Sequence, residues 1–284
     1  MTMHALWSPH ADADQPLRSA GHTAYLSRLR RKTLVVQAWQ VGLVLALLLV
    51  WEIWPRMGWI NPMLTSYPSA IARTLYAMML DGTLALHTWT TLREIIVGFV
   101  GGMALGLIGA VLLWASPMAY RIADPFIVVL NALPKIALVP IFYIWLGDVA
   151  SIYAMAIAVS FFVTVLMLYS GYQGVDPDKI RLVRLYGASK FKVLTKIILP
   201  GSVPTLISTL KVNIGLALVG VIVGEFQAAK AGLGYLITYG SQIFQINLVM
   251  ASIFVLAVIS SVLFLVIQAS LSTVLRKYDT TSES

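Results

Sequence analysis

Apolar runs of about 20 residues recur along this chain, and they leave it few ways to fold. At about 1.5 Å of rise per residue, such a run in helical form covers roughly 30 Å, the thickness of a hydrocarbon core. A soluble alternative would need almost every helix buried on all sides, which a chain of 284 residues cannot arrange. The expected fold class is therefore all-α: a polytopic membrane protein with about six transmembrane helices. Only 11% of the residues are charged, so where the charges fall is informative.

Spans are expected near 34–54, 91–114, 125–146, 150–169, 202–223 and 248–271. Trp51, Trp54 and Trp59 form an aromatic belt at the far end of the first, and Pro55 ends it. Within 55–90, Pro68-Ser69 opens a short amphipathic helix with Ile71, Leu75, Met78 and Met79 on one side, suited to lying on the membrane. Gly98, Gly102 and Gly106 give the second span a small-xxx-small face for close helix packing, with Gly101 and Gly109 beside it. Pro134 and Pro140 break the third. A core domain is expected over 91–275, with short polar tails at 1–32 and 276–284. The apolar run after Arg28-Leu29-Arg30-Arg31-Lys32 is too long for a signal peptide, so 1–32 is expected as an uncleaved, disordered tail.

Basic residues orient the spans. Arg18, Arg28, Arg30, Arg31, Lys32, Arg121, Arg276 and Lys277 join six in the 171–200 loop (Lys179, Arg181, Arg184, Lys190, Lys192, Lys196) on one side. Only Arg56, Arg73 and Lys230 fall on the other, and Arg93, Lys135 and Lys211 lie in or at the ends of spans. The positive-inside rule then places both termini and the 171–200 loop in the cytoplasm. The net charge of +8 tracks the membrane faces, so a nucleic-acid partner is not expected. Lipid is the expected partner of the spans. The chain has no cysteine, which excludes disulfides, thiolate catalysis and Cys-type zinc sites. His4, His10, His22 and His87 lie in the polar N-terminus and one loop without a second ligand at metal spacing, so all are expected to be solvated and no metal site is expected. Nothing resembles a catalytic triad or carboxylate pair, so no catalytic residues are expected.

The 171–200 loop has its own architecture. Asp176-Pro177 is a helix start. Ile180, Leu182, Val183 and Tyr186 recur at helical spacing. Gly187 can adopt the left-handed conformation that stops the helix. Ser189 can cap a second helix with Phe191, Leu194 and Ile198 on its apolar face, and Leu199-Pro200 is expected to close it and turn the chain back. The residues alone allow two uses for this helix–Gly–helix elbow: docking a soluble partner, or anchoring to anionic lipid.

The spacing of Gly187, Ile197, Leu199 and Pro200 (G-x9-I-x-L-P) resembles the cytoplasmic "EAA" loop of binding-protein-dependent ABC importer permeases. Leu133-Pro134-Lys135-Ile136-Ala137-Leu138-Val139-Pro140, Thr91-Leu92-Arg93 with Gly98-Phe99, Gly220-Val221-Ile222-Val223-Gly224-Glu225-Phe226 and Gly232-Leu233-Gly234-Tyr235-Leu236-Ile237 are similar to the nitrate/sulfonate/taurine subfamily, over roughly 88–275. The resemblance implies the type I ABC importer permease fold, in the bacterial inner membrane. It makes the loop a coupling elbow for a cytoplasmic ATPase, carried by Arg181, Arg184, Tyr186, Gly187, Ala188, Ser189, Ile197, Leu199 and Pro200. Arg181-Leu182-Val183 departs from the family's Glu-Ala-Ala, and an arginine cannot accept the hydrogen bonds a glutamate can. The implied partners are cytoplasmic ABC ATPase subunits, a periplasmic substrate-binding protein and a second permease copy, expected to be identical. No GxxxxGK[ST] phosphate loop occurs, so ATP is expected to be bound and hydrolysed by the partner, leaving this chain without a cofactor or enzyme activity of its own.

Polar residues within spans are the candidate translocation pathway: Asn131, Pro134, Lys135, Pro140, Lys211, Asn213 and Glu225. Asn131 and Lys135 are i,i+4 and expected to share a helix face. Lysines facing a pore would favour an anion such as a sulfonate or nitrate; the alternative is that they snorkel to the interface or pair with acids. Glu225 fits a gate or a packing contact better than a ligand. The competing function is a stand-alone channel or secondary transporter, which would not need the elbow.

Overall fold

The computed structural model describes residues 20–282, with no strand among them. The chain divides into two compact units, residues 1–60 and 61–284. In the first, α1 (Ala20–Arg56) is one helix. Its apolar stretch from Leu34 is exposed along its length, as a lipid-facing helix must be. The backbone of 20–32, expected disordered, is helical, in keeping with the helix propensity of its Leu, Arg and Lys. Residues 1–19 of that tail, with His4 and His10, lie outside the described residues, as do 283–284; nothing is described of the His22 side chain. The helix takes in Pro55, pairs Arg56 with Glu52 and stops at Gly58 (φ 78°), with Trp54 and Trp59 6.1 Å apart.

The second unit begins with α2 (Pro62–Thr65) and α3 (Pro68–Leu80). It continues through α4 (Thr83–Ala115), α5 (Pro117–Ala132), a 3₁₀ turn (Lys135–Leu138) and α6 (Val139–Gln173). Next come α7 (Pro177–Leu185), α8 (Lys190–Val193), a π-helical turn (Leu194–Ile198) and α9 (Leu199–Gly201). The last elements are α10 (Val203–Ala228), α11 (Leu233–Gln242) and α12 (Ile246–Ser282).

Glycines decide how the core is built. Gly102 of α4 lies so close to α6 that a Cβ there would stand 2.5 Å from the Ser160 Cβ. Gly98 and Gly106, one turn to either side, face Ala156 and Thr164 in the same way. On the other flank of α6, a Cβ at Gly220 of α10 would lie 2.7 Å from the Ala156 Cα. Helix α6 is thus clasped between α4 and α10 by small residues, the arrangement that replaces the hydrophobic effect where lipid is the solvent. Ile95, Ile152, Ala156, Ile214 and Val221 fill the space between.

Five stretches are long and apolar enough to cross a membrane: Leu34–Arg56, Thr83–Ala115, Lys135–Gln173, Val203–Ala228 and Ile246–Leu271. A further passage is broken rather than continuous. Tyr120, early in α5, stacks on Tyr169 near the end of α6, ring centroids 4.1 Å apart. Asp148, just past a kink in α6 at Gly147 (φ 78°, ψ −172°), pairs instead with Lys230, beyond the far end of α10. Residues 117–146 therefore run from the elbow side of the helical layer to the opposite side. They do so as α5, a break and a short helix, where one span over 125–146 was expected. The break falls at Leu133 and Pro134, both extended, because proline disfavours helix at the residue before it and offers no N–H.

Other expected boundaries also move. The second span starts at Thr83, eight residues before 91, so His87 is on a helix and not in a loop. The fourth reaches Gln173, the fifth Ala228, and the last continues as helix through the expected tail to Ser282. The amphipathic α3 does more than lie on a membrane: Ile71 and Met78 are buried with Leu233, Leu236 and Ala251, while Met79 stays exposed.

Candidate functional site

The elbow forms as its capping residues dictate. The Asp176 carboxylate accepts from the Asp178 N–H (2.9 Å) and starts α7. Gly187, at φ 77°, ends it: the Gly187 N–H bonds the Arg184 carbonyl (2.9 Å) and the Ala188 N–H reaches back to the Val183 carbonyl (3.2 Å). This pair of bonds is the Schellman closure, which requires a left-handed residue at its centre. The Ser189 hydroxyl then accepts from the Lys192 N–H (3.4 Å) to start α8.

Leu199-Pro200 does not close the second helix as expected. Helical structure continues through the π turn, in which the Leu199 N–H bonds the Leu194 carbonyl, five residues back. The wider turn relieves the clash that the Pro200 ring would cause in a tight α-helical ladder. The inner side of the elbow is fused to the helical layer. Val193 and Ile198 are fully buried with Ala110, Leu168 and Tyr172, and Ile180, Ala188, Leu194, Ile197 and Leu199 pack around them.

Its outer side carries large apolar groups with no protein cover. Leu185 is 84% exposed, Tyr186 85% and Phe191 72%, and Leu182 is exposed too. Phe191, expected on one apolar face with Leu194 and Ile198, is exposed, whereas Ile198 is fully buried and Leu194 packs against the same core. The basic residues Arg181, Arg184, Lys190 and Lys192 of the same loop are also exposed. Arg181, standing where the family pattern has glutamate, bonds its own neighbour Asp178 at 3.3 Å.

The expected pathway residues are not gathered at one place. The Lys135 ammonium donates to the Asn131 carbonyl (2.7 Å), satisfying the open end of α5 across the break, so the two residues meet without sharing a helix ridge. It also lies 6.0 Å from the Phe162 ring. Pro134 and Pro140 are exposed on the same broken passage. Lys211 is half-buried on α10 and forms no ion pair among the described residues. Asn213 is fully buried, its amide donating to the Thr209 carbonyl (3.0 Å).

Glu225 sits in a buried polar network at the opposite end of the layer, 1% exposed. Its carboxyl accepts from the Thr91 hydroxyl (2.7 Å) and the Gly234 N–H (2.5 Å). Thr91 in turn accepts from the Leu233 N–H (2.8 Å), and His87 Nδ1 accepts from the Gly232 N–H (2.9 Å) while its ring stacks on Tyr235. These side chains cap the first turn of α11, whose N–H groups have no partner of their own. Gly232 sits at φ 117° with no room for a Cβ, because the Glu225 carboxyl fills that space. The histidine expected to be solvated is thus buried and bonded. Glu94, also buried, lies within hydrogen-bonding reach of Glu225, and its Oε2 has no partner among the described residues. Glu94 is the member of this network that the sequence analysis does not single out, although an acidic residue inside an apolar run is a signal for one.

Glu225→Leu should therefore strip the cap from α11. Each buried donor left without a partner costs about 1–3 kcal/mol. Hydrogen exchange at the amides of 232–242 should accelerate strongly while those of α7 stay unchanged; unaltered exchange at 232–242 would show that the network does not hold this helix.

Comparison with known proteins places the chain in context. Residues 102–279 match the family described as the binding-protein-dependent transport system inner membrane component. An aliphatic sulfonates transport permease protein of Bacillus subtilis, SsuC, is 28% identical over 225 residues, covering 78% of this chain and 81% of its own. The taurine transport system permease protein TauC of Escherichia coli is 27% identical over 235 residues, covering 81% and 86%. A formylaminopyrimidine transport permease protein, ThiX, of Halalkalibacterium halodurans is 29% identical, covering 67% and 76%. Among solved structures, the MetNI methionine ABC transporter in an inward-facing form aligns with a TM-score of 0.59 over 71% of this chain and 98% of that one, at 18% identity, a likeness of fold alone.

Proposed function

The chain belongs to the family of binding-protein-dependent transport system inner membrane components, and from that premise we propose how its parts divide the work. The protein is a multi-pass permease subunit of an ABC importer, and ATP hydrolysis belongs to a separate subunit. The stand-alone channel or secondary transporter is thereby set aside.

In our reading the 171–200 elbow seats in a groove of a cytoplasmic ATPase subunit that binds the ATP. The observation that carries this is the uncovered Leu185–Tyr186 pair on a loop whose inner side is locked into the helical layer. An exposed surface of large apolar groups on a basic loop is suited to binding a partner. Its firm root lets a movement of the partner reach α4, α6 and α10. Arg184, Ala188 and Ser189 stand at or beside the Gly187 closure and fix its shape. Arg181, tied to Asp178, presents a cation where a family glutamate would present an acceptor, so the partner's groove is expected to be acidic at that point. Both termini lie on the ATPase side, with the periplasmic binding protein delivering solute at the face of Asp148 and Lys230. One chain carries one elbow, so a second, identical copy completes a pore served by two ATPase subunits.

The solute is proposed to be a small anion of the sulfonate or taurine kind, as the names of SsuC and TauC suggest. Lys135 and Lys211 supply the positive charge; Lys135 still has donor capacity beyond its Asn131 bonds. The test is uptake of ethanesulfonate by cells carrying the whole importer. Lys135→Met and Lys211→Met at normal membrane levels should each lower uptake about tenfold, the loss of roughly 1.4 kcal/mol of anion stabilisation. Unchanged uptake in both would remove the anion pathway and leave the ATPase docking untouched.

A further inference from the structure

Beside the elbow is a cavity of about 530 Å³ between the end of α4, the start of α5, the end of α6 and the elbow helices. Three cations line it, Arg121 from α5, Arg184 from α7 and Lys190 from α8, and no carboxylate does. None of the three forms an ion pair among the described residues, in contrast to Arg181. The nearby Asp124 is engaged by the Tyr120 hydroxyl. Three like charges brought around one hollow by three separate helices create a positive potential that favours an anion there.

The remaining wall indicates which anion. Trp114 and the stacked Tyr120–Tyr169 pair line the cavity, with the Tyr169 hydroxyl accepting from Gln173 (2.6 Å). Aromatic rings of this kind mark the level of lipid headgroups. We propose that this cavity binds a phosphate-bearing anion, supplied by the headgroup of an anionic phospholipid, which bridges the elbow to the ends of α4, α5 and α6. Basic pockets between spans are suited to such headgroups. The proposal rests on the membrane-spanning fold and not on ATPase docking. The lipid would neutralise the root of the elbow from within the bilayer.

The test is lipid binding by the chain assembled with its ATPase subunits, delipidated in detergent. It is titrated separately with phosphatidylglycerol, phosphatidylcholine and inorganic phosphate, and native mass spectrometry counts what is retained. Phosphatidylglycerol should bind in preference to phosphatidylcholine. Arg121→Gln with Lys190→Gln should weaken that binding roughly thirtyfold, about a factor of five per cation. Arg121→Lys with Lys190→Arg keeps the charge and should bind like the wild type, which separates lost charge from lost folding. Saturable phosphate binding without preference for phosphatidylglycerol would keep the site and make the free anion its occupant. Equal retention of phosphatidylglycerol by wild type and the double Gln variant would overturn the proposal.

Discussion

Placing aspartate at both Leu185 and Tyr186 is expected to release the ATPase subunits from the permease and abolish energised uptake, while the permease stays folded at normal membrane levels. Both side chains are more than four-fifths exposed, so neither contributes to the helical layer. Surface substitutions of that kind usually change stability by less than about 0.5 kcal/mol. At an interface, by contrast, a buried aromatic or aliphatic anchor is worth about 2 kcal/mol or more when lost. Two of them together correspond to roughly a thousandfold weaker association. Copurification of the ATPase with the tagged permease reads this directly. Undiminished copurification would mean that the elbow's apolar tip is not the docking surface.

Gly220→Leu is expected to have the largest effect on folding. A Cβ at Gly220 would meet backbone atoms of α6, the Ala156 Cα at 2.7 Å and the Met155 carbonyl at 3.3 Å, and backbone cannot rotate out of the way as a side chain can. Overpacking in a tight core costs about 1–3 kcal/mol even where neighbours can adjust. Here α10 must separate from α6, so little detergent-stable protein should be recovered. Gly215, on the same helix with nothing within 4 Å, supplies the contrast. Gly215→Ala should be neutral or stabilise by up to about 1 kcal/mol through helix propensity. Thermal unfolding of the two variants in detergent compares them; equal stability would contradict the clasp of α6 by glycines.

Local signals in the sequence were legible and long-range ones were not. The caps at Asp176, Gly187 and Ser189 depend on neighbours within a turn or two, and the small-xxx-small spacing of Gly98, Gly102 and Gly106 is itself local although it does not name α6 as its partner; each forms as expected. The burial of His87 does not: its partner is Gly232, 145 residues away, and nothing near His87 distinguishes a loop from the first turns of a helix. The same holds for Thr91 and Glu225, whose bond spans 134 residues. Proline signals a disturbance in the sequence but not the form it takes. Pro134 opens a real break with extended residues, whereas Pro200 is absorbed by a π turn, and the difference comes from the buried Val193 and Ile198, which hold the second segment helical. Phe191 parts from Leu194 and Ile198 because the π turn over Leu194–Ile198 changes the angular spacing on which a 3.6-residue period rests.

The absence of cysteine makes the central claim directly measurable, since one introduced cysteine is the only thiol in the chain. The measurement is photo-cross-linking in membranes holding the assembled importer, with a maleimide-benzophenone attached by thioether to Tyr186→Cys on the elbow or to Lys230→Cys on the opposite face, so that light inserts the ketone into a C–H bond of whatever lies alongside. Coupling through the elbow predicts a covalent adduct with the ATPase subunit from position 186 and none from position 230. An adduct from position 230, or none from 186 in complexes that still copurify, would contradict it.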